Sequence, residues 1–439
     1  MKQILLLGAG KSATVLIDYL KMIAFENKWK VTVADHDLIA VTSKVGRHDL
    51  VAPVQLDIHN EAERKLLIEQ ADIVISMMPP SLHYLVALDC IAYNKHLLTA
   101  SYVDAKIKQE ESIIQNKGLL FLCEMGLDPG IDHMSAMHLL NQIKNDDGRI
   151  VSFKSHCGGL VAPESDDNPW HYKISWNPRN VVLAGKAGAL YKEKDAIIKK
   201  KYESLFDGCS QIEINGLGKF AYYPNRDSLS YIPLYGLQDV ETFVRSTLRY
   251  PSFCDGWKYI VDLKLTDEEK KYPTNHISFS RFFQQYFTEH HLLEILDDAM
   301  KNENIGHQLN YLGLFDEDPI NINEGSVADV LQLLMDKKLV LQKEDKDLIV
   351  MLHEIDYETK GVKKSVKSSL VVKGDDHVRT AMAKTVGLPL GIAAKLILEG
   401  KIKETGLHIP ILPTIYEPVL DELKRFGIAF VESTHSSSL

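Results

Sequence analysis

Residues Gly8-Ala9-Gly10-Lys11-Ser12-Ala13 follow a short apolar run, 4–7, in the order G-x-G-x-x-A. That order suits the pyrophosphate of a dinucleotide. The first glycine permits a tight turn, the second lets phosphate approach the backbone, and small Ala13 lets a helix pack close to the strand. N–H groups from Ser12 onward would open that helix and face the anion. Asp35 stands 22 residues beyond Ala13, where such a unit places the acid that binds ribose hydroxyls. A carboxylate there accepts from both hydroxyls and repels a 2′-phosphate. The expected cofactor is therefore NAD or NADP, with Asp35 tilting the choice towards NAD. Asp37 is an alternative ribose partner, His36 and Lys44 lie near enough to bring positive charge, and Asp57 would lie near the adenine.

Positioning these groups takes a parallel sheet. Apolar runs at 4–7, 30–34, 54–57, 73–76, 96–100 and 119–123 read as six strands, with helical spacing between them (Val15, Leu16, Tyr19 and Leu20; then 61–70). The fold class is α/β, a Rossmann-type doubly wound sheet. From 129 to 264 strand-like segments (150–156, 211–214) alternate with Gly, Pro and Asn clusters, which suggests an α+β substrate and dimerisation domain. Residues 265–345 turn polar and helical (278–287, 291–302, 326–339) and read as a helical insertion. Strand patterning at 348–353 and 369–373, around a Lys-rich turn, reads as a hairpin that returns to the α+β sheet. Helices at 376–400 and 416–427 are expected to pack back on the first domain. The expected division is thus 1–128 with about 390–439, then 129–264 with 346–389, then the insertion. A Ser-rich stretch closes the chain at 436–438.

Composition excludes several function classes. The chain has 439 residues, 45% hydrophobic and 25% charged, which is ordinary for folded domains. Its 50 basic and 60 acidic residues leave a net charge of −10, unfavourable for a phosphate backbone, and the basic run 199–201 reads as a solvated helix face. No nucleic-acid partner is expected. No apolar run is expected to reach a membrane span, and the four-residue run near Met1 is too short for a signal peptide. Five cysteines without a CxxC pair fit reduced thiols, and a cytoplasmic location is expected. His133 and His156 lack neighbouring ligands at metal spacing, so no metal is expected and both read as local hydrogen bonders.

Seven further blocks run in order along the chain: Thr99-Ala-Ser-Tyr102, Glu124-Met-Gly-Leu-Asp-Pro-Gly-Ile-Asp-His133, His156-Cys-Gly-Gly-Leu160, Asn168-Pro with Tyr172-Lys-Ile-Ser-Trp176, Tyr223-Pro-Asn-Arg-Asp-Ser228, Arg245-Ser-Thr-Leu-Arg-Tyr250 and Ala381-Met-Ala-Lys-Thr-Val-Gly-Leu-Pro389. With the glycine turn, this set resembles the saccharopine dehydrogenase (L-glutamate-forming) family, also called saccharopine reductase, over nearly the whole chain. The resemblance implies hydride transfer between a nicotinamide cofactor and the imine of 2-aminoadipate 6-semialdehyde with glutamate, giving saccharopine in lysine metabolism. It implies Asp128, Tyr102 and Cys157 as groups that tune protonation. It also implies that Pro79, Thr99, Leu127, Pro129 and Ser175 contact the cofactor, and that Ser101, Tyr102, Asp128, Trp176, Arg226, Arg245, Ser246 and Thr247 contact the substrate.

The residue types suit that substrate. Saccharopine carries three carboxylates, and a guanidinium binds carboxylate bidentately. Ser101 and Tyr102 follow a buried strand at the carboxyl edge where doubly wound sheets bind ligands. Asp128, before Pro129 and Gly130, lies near an expected helix start, where an N-cap is the plain alternative. Lys11-Ser12, the acidic Asp35-His36-Asp37 and Ser246, where glycine is frequent, depart from the commoner family pattern. A reductase of another amino-acid-derived imine, of carboxyspermidine dehydrogenase type, and a non-catalytic dinucleotide-binding protein are the alternative readings. A homodimer is possible through the second domain.

Overall fold

The computed structural model describes residues 1–437; Ser438, in the Ser-rich stretch, lies outside the described residues. The chain forms two compact units, one of Met1–Ile150, Tyr357–Lys364 and the chain from Ser368, the other of Val151–Asp356 with Ser365–Lys367.

The first unit is the doubly wound sheet. Its strands are β1 (Gln3–Leu7), β2 (Lys30–Asp35), β3 (Val51–Gln55), β4 (Ile73–Ser76), β5 (His96–Thr99) and β6 (Leu120–Leu122). They lie in the order β3-β2-β1-β4-β5-β6, all parallel. Helices cover both faces of such a sheet, so its strands are apolar at nearly every position: Ile4 to Leu7 and all of β4 are buried. A seventh parallel strand, Gly406–His408, joins β6. Three residues carry too little alternation to read as a strand, and only the pairing defines it. The third strand covers Val51–Gln55, so Asp57 lies in the loop beyond.

Two helices carry the chain's return. Ala381–Leu398 packs on α1 (Thr14–Asn27) at very close range. A Cβ on Gly387 would stand 2.9 Å from Leu16 Cβ, and one on Gly391 would stand 2.6 Å from the Tyr19 ring. Ala381–Leu398 is long and apolar enough to cross a membrane, contrary to the sequence expectation, since Lys384 and Lys395 break the run but not its mean. It is 72% buried as a core helix of this unit. Pro413–Lys424 packs on Ile131–Asn145, with Asn141 Nδ2 donating to Tyr416 Oη at 2.8 Å. That packing carries the first unit to Ile150 rather than 128, and it takes the returning chain from Ser368 rather than about 390.

The second unit is α+β. Strands β7 (Arg149–Val161), β8 (Ala189–Glu193), β9 (Ala196–Lys200), β10 (Ser210–Ile214), β11 (Gly218–Pro224), β12 (Arg226–Asp227) and β13 (Thr242–Arg249) build its sheet, with β13 parallel to β7 and antiparallel to β11. The expected helix face at 192–201 is instead the hairpin β8–β9. Lys194 and Asp195, both at positive φ, form its two-residue turn, and such turns match strand twist. The expected hairpin near 348–373 is Asp347–Thr359 with Val362–Lys373. The stretch 265–345 is not a separate insertion. Its helices Phe279–Glu289, Leu293–Lys301, Glu303–Leu312 and Val327–Lys338 put Phe283, Leu309 and Leu331 into one core with Tyr172, Tyr223 and Trp257. A lone helical segment could not bury those faces by itself.

Because the helix contact at Gly387 leaves no room for a branched side chain, Gly387→Val should destabilise the protein by about 2–3 kcal/mol through overpacking. Urea unfolding monitored by circular dichroism reads this directly; an unchanged midpoint would contradict the close contact.

Candidate active site

The glycine turn forms as its residues dictate. Gly8 has φ +96°, and a Cβ there would stand 2.9 Å from the Met77 carbonyl, so no other residue fits between β1 and the end of β4. Its N–H donates to Ala34 O at 2.9 Å. Around Gly10 the space that a Cβ would take is open, with nothing within 4 Å, as a cradle for a bound phosphate requires. Lys11–Ala13 form one 3₁₀ turn before α1; Lys11 is exposed, Ser12 half-buried and Ala13 buried against the sheet. The residues present therefore fit a dinucleotide.

Asp35 ends β2 beside this turn. Its Oδ2 accepts from Ala9 N–H at 2.7 Å and its Oδ1 from Asp37 N–H at 3.1 Å, with His36 Nδ1 at 2.7 Å. Burial alone would raise its pKa, but these N–H groups and His36 outweigh it and hold the carboxyl below its usual range. Lys44 Nζ donates to the carbonyls of Ala9 and Gly10 at 2.6 Å each. Burial lowers its pKa, with Asp35 opposing. Asp37 instead caps the next helix, accepting from Ala40 N–H. Asp57 is exposed, and its carboxylate accepts from His59 N–H at 2.9 Å to close its own loop.

The loops after β4, β5 and β6 hold the next group. Pro79 is exposed at the start of the short 3₁₀ turn Pro80–Leu82. His83, which the sequence reading missed, hydrogen-bonds through Nδ1 with Ser76 Oγ at 2.9 Å, and through Nε2 with Ser101 Oγ at 2.8 Å and Thr99 Oγ1 at 3.2 Å. Its only sequence signal is a polar residue opening a mostly apolar helix. Burial pushes its pKa down to about 4, against a small opposing effect from Asp104. The imidazole is thus neutral, and it ties the ends of β4 and β5 to Ser101. Tyr102 is half-buried beside it.

Below this lies a tight loop. Gly126 N–H donates to Pro129 O, the Asp128–Pro129 bond is cis, and Gly130, at φ +146°, abuts Gly126 so closely that a Cβ would collide with it. Gly130, not Asp128, is the N-cap of Ile131–Asn145, so the plain capping alternative for Asp128 does not hold. Asp128 is half-buried between buried Leu127 and Pro129. Buried Glu124 and His133 pair at 2.8 Å beneath the loop, as a local hydrogen bond at His133 requires, and Asp132 accepts from Gly130 N–H at 2.6 Å.

In the second unit β13 runs in register with β7, placing Thr247 beside Cys157 and Ser246 beside His156, while β11 places Tyr223 beside Thr247. Side chains alternate across a sheet, so Tyr223, Thr247 and Cys157 share one face and His156 and Ser246 the other. Cys157 is 6% exposed and Thr247 half-buried. Ser246, read as a substrate contact, hydrogen-bonds through its hydroxyl with His156 Nδ1 at 2.6 Å. On the far side of that ring Glu354, paired with Lys367 at 2.7 Å, is pulled down to about 2, since His156 and Lys367 outweigh the cost of its burial. Arg245, 4% exposed, stacks its guanidinium 4.4 Å from the Tyr231 ring centre, which rules out a surface arginine. Arg226 is exposed in β12 at φ +53°.

Segment 166–176 is one braced loop. Asn168 Nδ2 donates to Tyr172 O at 3.1 Å, and buried Lys173 pairs with Asp345 at 2.7 Å and Asp167 at 2.9 Å. This holds buried Ser175 and half-buried Trp176, whose indole N–H donates to Tyr172 Oη at 3.2 Å.

Comparison with known proteins agrees with this arrangement. Residues 4–122 match the family described as saccharopine dehydrogenase NADP binding domain, and residues 126–428 match saccharopine dehydrogenase C-terminal domain. The chain belongs to the saccharopine dehydrogenase family. It is 32% identical over 447 residues to saccharopine dehydrogenase [NADP(+), L-glutamate-forming] of Saccharomyces cerevisiae, covering 99% of both chains. It is 34% identical over 409 residues to alpha-aminoadipic semialdehyde synthase of Arabidopsis thaliana, covering 87% of this chain but only 38% of that protein. The solved apo saccharopine dehydrogenase (L-Glu forming) from S. cerevisiae superposes with a TM-score of 0.87 at 31% identity, covering 99% of this chain and all of that one.

The His83 hub sets a pH dependence. Its folded pKa of about 4 lies below the unfolded value of 6.5, so the unfolded chain takes up the proton first. The stabilising effect is complete above pH 6.5 and is lost as pH falls towards 4, amounting to about 3 kcal/mol at most. Unfolding free energies across that window should show one fewer linked proton in His83→Gln than in the wild type; equal slopes would contradict a buried neutral imidazole.

Proposed function

We propose that the chain interconverts saccharopine with 2-aminoadipate 6-semialdehyde and L-glutamate. The observation that carries the reading is the row Tyr223–Thr247–Cys157 with buried Arg245 on the same strand, inside a chain related over its full length to an L-glutamate-forming saccharopine dehydrogenase. Oxidation removes a hydride from carbon and a proton from the secondary amine of saccharopine, and water then splits the resulting imine into the two products. The bound dinucleotide supplies the hydride acceptor, or the donor in reverse.

This chain's residues do the rest. Arg226 and Arg245 hold substrate carboxylates. Thr247, Ser101 and Trp176 orient the substrate, while Asp128, Tyr102 and Cys157 govern the proton at the amine nitrogen. Ser101 is itself oriented by neutral His83, and Ser246 serves indirectly through His156. Leu127, Pro129, Thr99, Pro79 and Ser175 would shape the dinucleotide site around Gly8, Gly10, Lys11, Ser12 and Ala13.

We further propose that NAD is preferred over NADP. Asp35, held ionised beside the glycine turn, would meet the ribose, and Lys44 is committed to the carbonyls of Ala9 and Gly10. The ammonium is thereby held at the turn rather than extended towards a 2′-phosphate, although the yeast relative is named for NADP(+).

Purified protein, saccharopine and each dinucleotide in separate cuvettes test both statements through the absorbance of reduced cofactor. Turnover faster with NAD is expected. Absence of saccharopine-dependent reduction with either would sink the reaction, and preference for NADP would sink the cofactor assignment. Asp35→Ala should raise the NADP-to-NAD ratio of kcat/KM by about tenfold or more, the scale of one removed charge repulsion; an unchanged ratio would remove Asp35 from the ribose. Arg226→Ala should raise the KM for saccharopine about 10- to 100-fold and leave dinucleotide binding intact, as expected for one lost charged hydrogen-bond pair.

A further inference from the structure

Arg249 ends β13 two residues beyond Thr247 and four beyond Arg245, so period-two alternation puts all three on one face, about 7 Å apart along the strand. It is 4% exposed. Its guanidinium carbon lies 5.3 Å from the Tyr172 ring centre and 5.4 Å from that of Phe253. Nη1 donates to Leu248 O at 2.8 Å, while Nε is buried without a hydrogen-bond partner. Among the described residues no carboxylate pairs with it. Arg64 and Lys173, buried to a similar degree, contrast with this: Arg64 holds Asp89 at 2.6 Å and Lys173 holds Asp345 at 2.7 Å.

A buried cation without an anion is expensive, and packing alone would be served better by an apolar residue. What surrounds Arg249 gives it a use. Tyr172 accepts the Trp176 indole N–H. Tyr223 is the in-register neighbour of Thr247 on the same face, and Thr247 in turn adjoins Cys157. The charge is felt by Tyr223, Tyr172, Cys254 and Cys157, and it is retained despite burial. Two residues assigned to the substrate, Trp176 and Thr247, thus each adjoin a tyrosine that lies in the field of one guanidinium.

We propose that Arg249 is a positioning residue for the substrate face of the second unit: its uncompensated guanidinium fixes Tyr172 and Tyr223, and through them Trp176 and Thr247, and gives that face a positive potential for an anionic, carboxylate-bearing substrate. The proposal deepens the saccharopine reading and rests on it for the identity of the substrate.

The test compares Arg249→Met, Arg249→Lys and wild type as full chains. In Arg249→Met the KM for saccharopine should rise about tenfold or more, while the KM for dinucleotide stays within about twofold. Arg249→Lys should fall between, because the charge remains and the planar fork is lost. A merely structural role would lower thermal stability with the saccharopine KM unchanged, and that result overturns the proposal. Should Arg249→Met not yield folded protein, Arg249→Lys decides by itself: an unchanged saccharopine KM rejects the assignment.

If the wild type does not turn over saccharopine, the reaction reading fails, and Arg249 is judged by fluorescence instead. Quenching of Trp176 by iodide, an anion, relative to neutral acrylamide, with Trp176→Phe as the reference, should drop in Arg249→Met. Equal ratios in wild type and variant would show that Arg249 adds no potential at this face.

Discussion

The parallel register of β7 and β13 is the constraint on which the second unit depends. It sets Cys157 beside Thr247 on one face and His156 beside Ser246 on the other. A slip of one residue would exchange the two sets, because side-chain direction alternates with every residue. Gly158 holds the strands at this distance, since a Cβ there would stand 2.7 Å from Leu248 O. The His156–Ser246 hydrogen bond and the Glu354–Lys367 pair secure the opposite face. The face that carries Tyr223, Thr247 and Cys157 is thus kept in place from behind by polar groups.

At the ends of β4 and β5 the first unit solves a related problem with one neutral group. The carboxyl ends of β4 and β5 leave Ser76, Thr99 and Ser101 hydroxyls in a confined space, and a buried hydroxyl without a partner is costly. One uncharged imidazole, His83, serves all three. A charged group would have required a counter-ion there. Asp35 and Lys44 act similarly around the glycine turn, where each binds backbone atoms of Ala9 or Gly10. A rigid turn with its phosphate side open follows from these contacts, before any ligand enters.

Several motif blocks divide, on inspection, between chemistry and packing. The block from Ala381 to Pro389 resembles a family signature, yet its Gly387 serves a close helix contact with Leu16. In the Arg245–Tyr250 block, Ser246 braces His156 while Thr247 and Arg249 face the opposite way, which alternation predicts once the segment is known to be a strand. The run 192–201 misled because lysines at mixed spacing resemble a solvated helix; positive φ at Lys194 and Asp195 settles it as a hairpin turn. The importance of His83 and Arg249 lies in what surrounds them in space. A lone polar residue in an apolar stretch carries no spacing signal.

The sequence by itself determined the doubly wound unit, its glycine turn with Asp35, and the family, because these rest on local features: apolar runs, glycines needed at tight turns, and ordered blocks of residues. Only the tertiary structure decided the rest. It added the seventh strand at Gly406–His408, carried the first unit to Ile150, and merged the stretch 265–345 into the core of the second. It also set the partners of His83, Ser246 and Arg249. Most of these depend on contacts between residues distant along the chain, and all on burial, which gives an unpaired charge or hydroxyl its energetic meaning. Neither distance in space nor desolvation is written in the spacing of a chain.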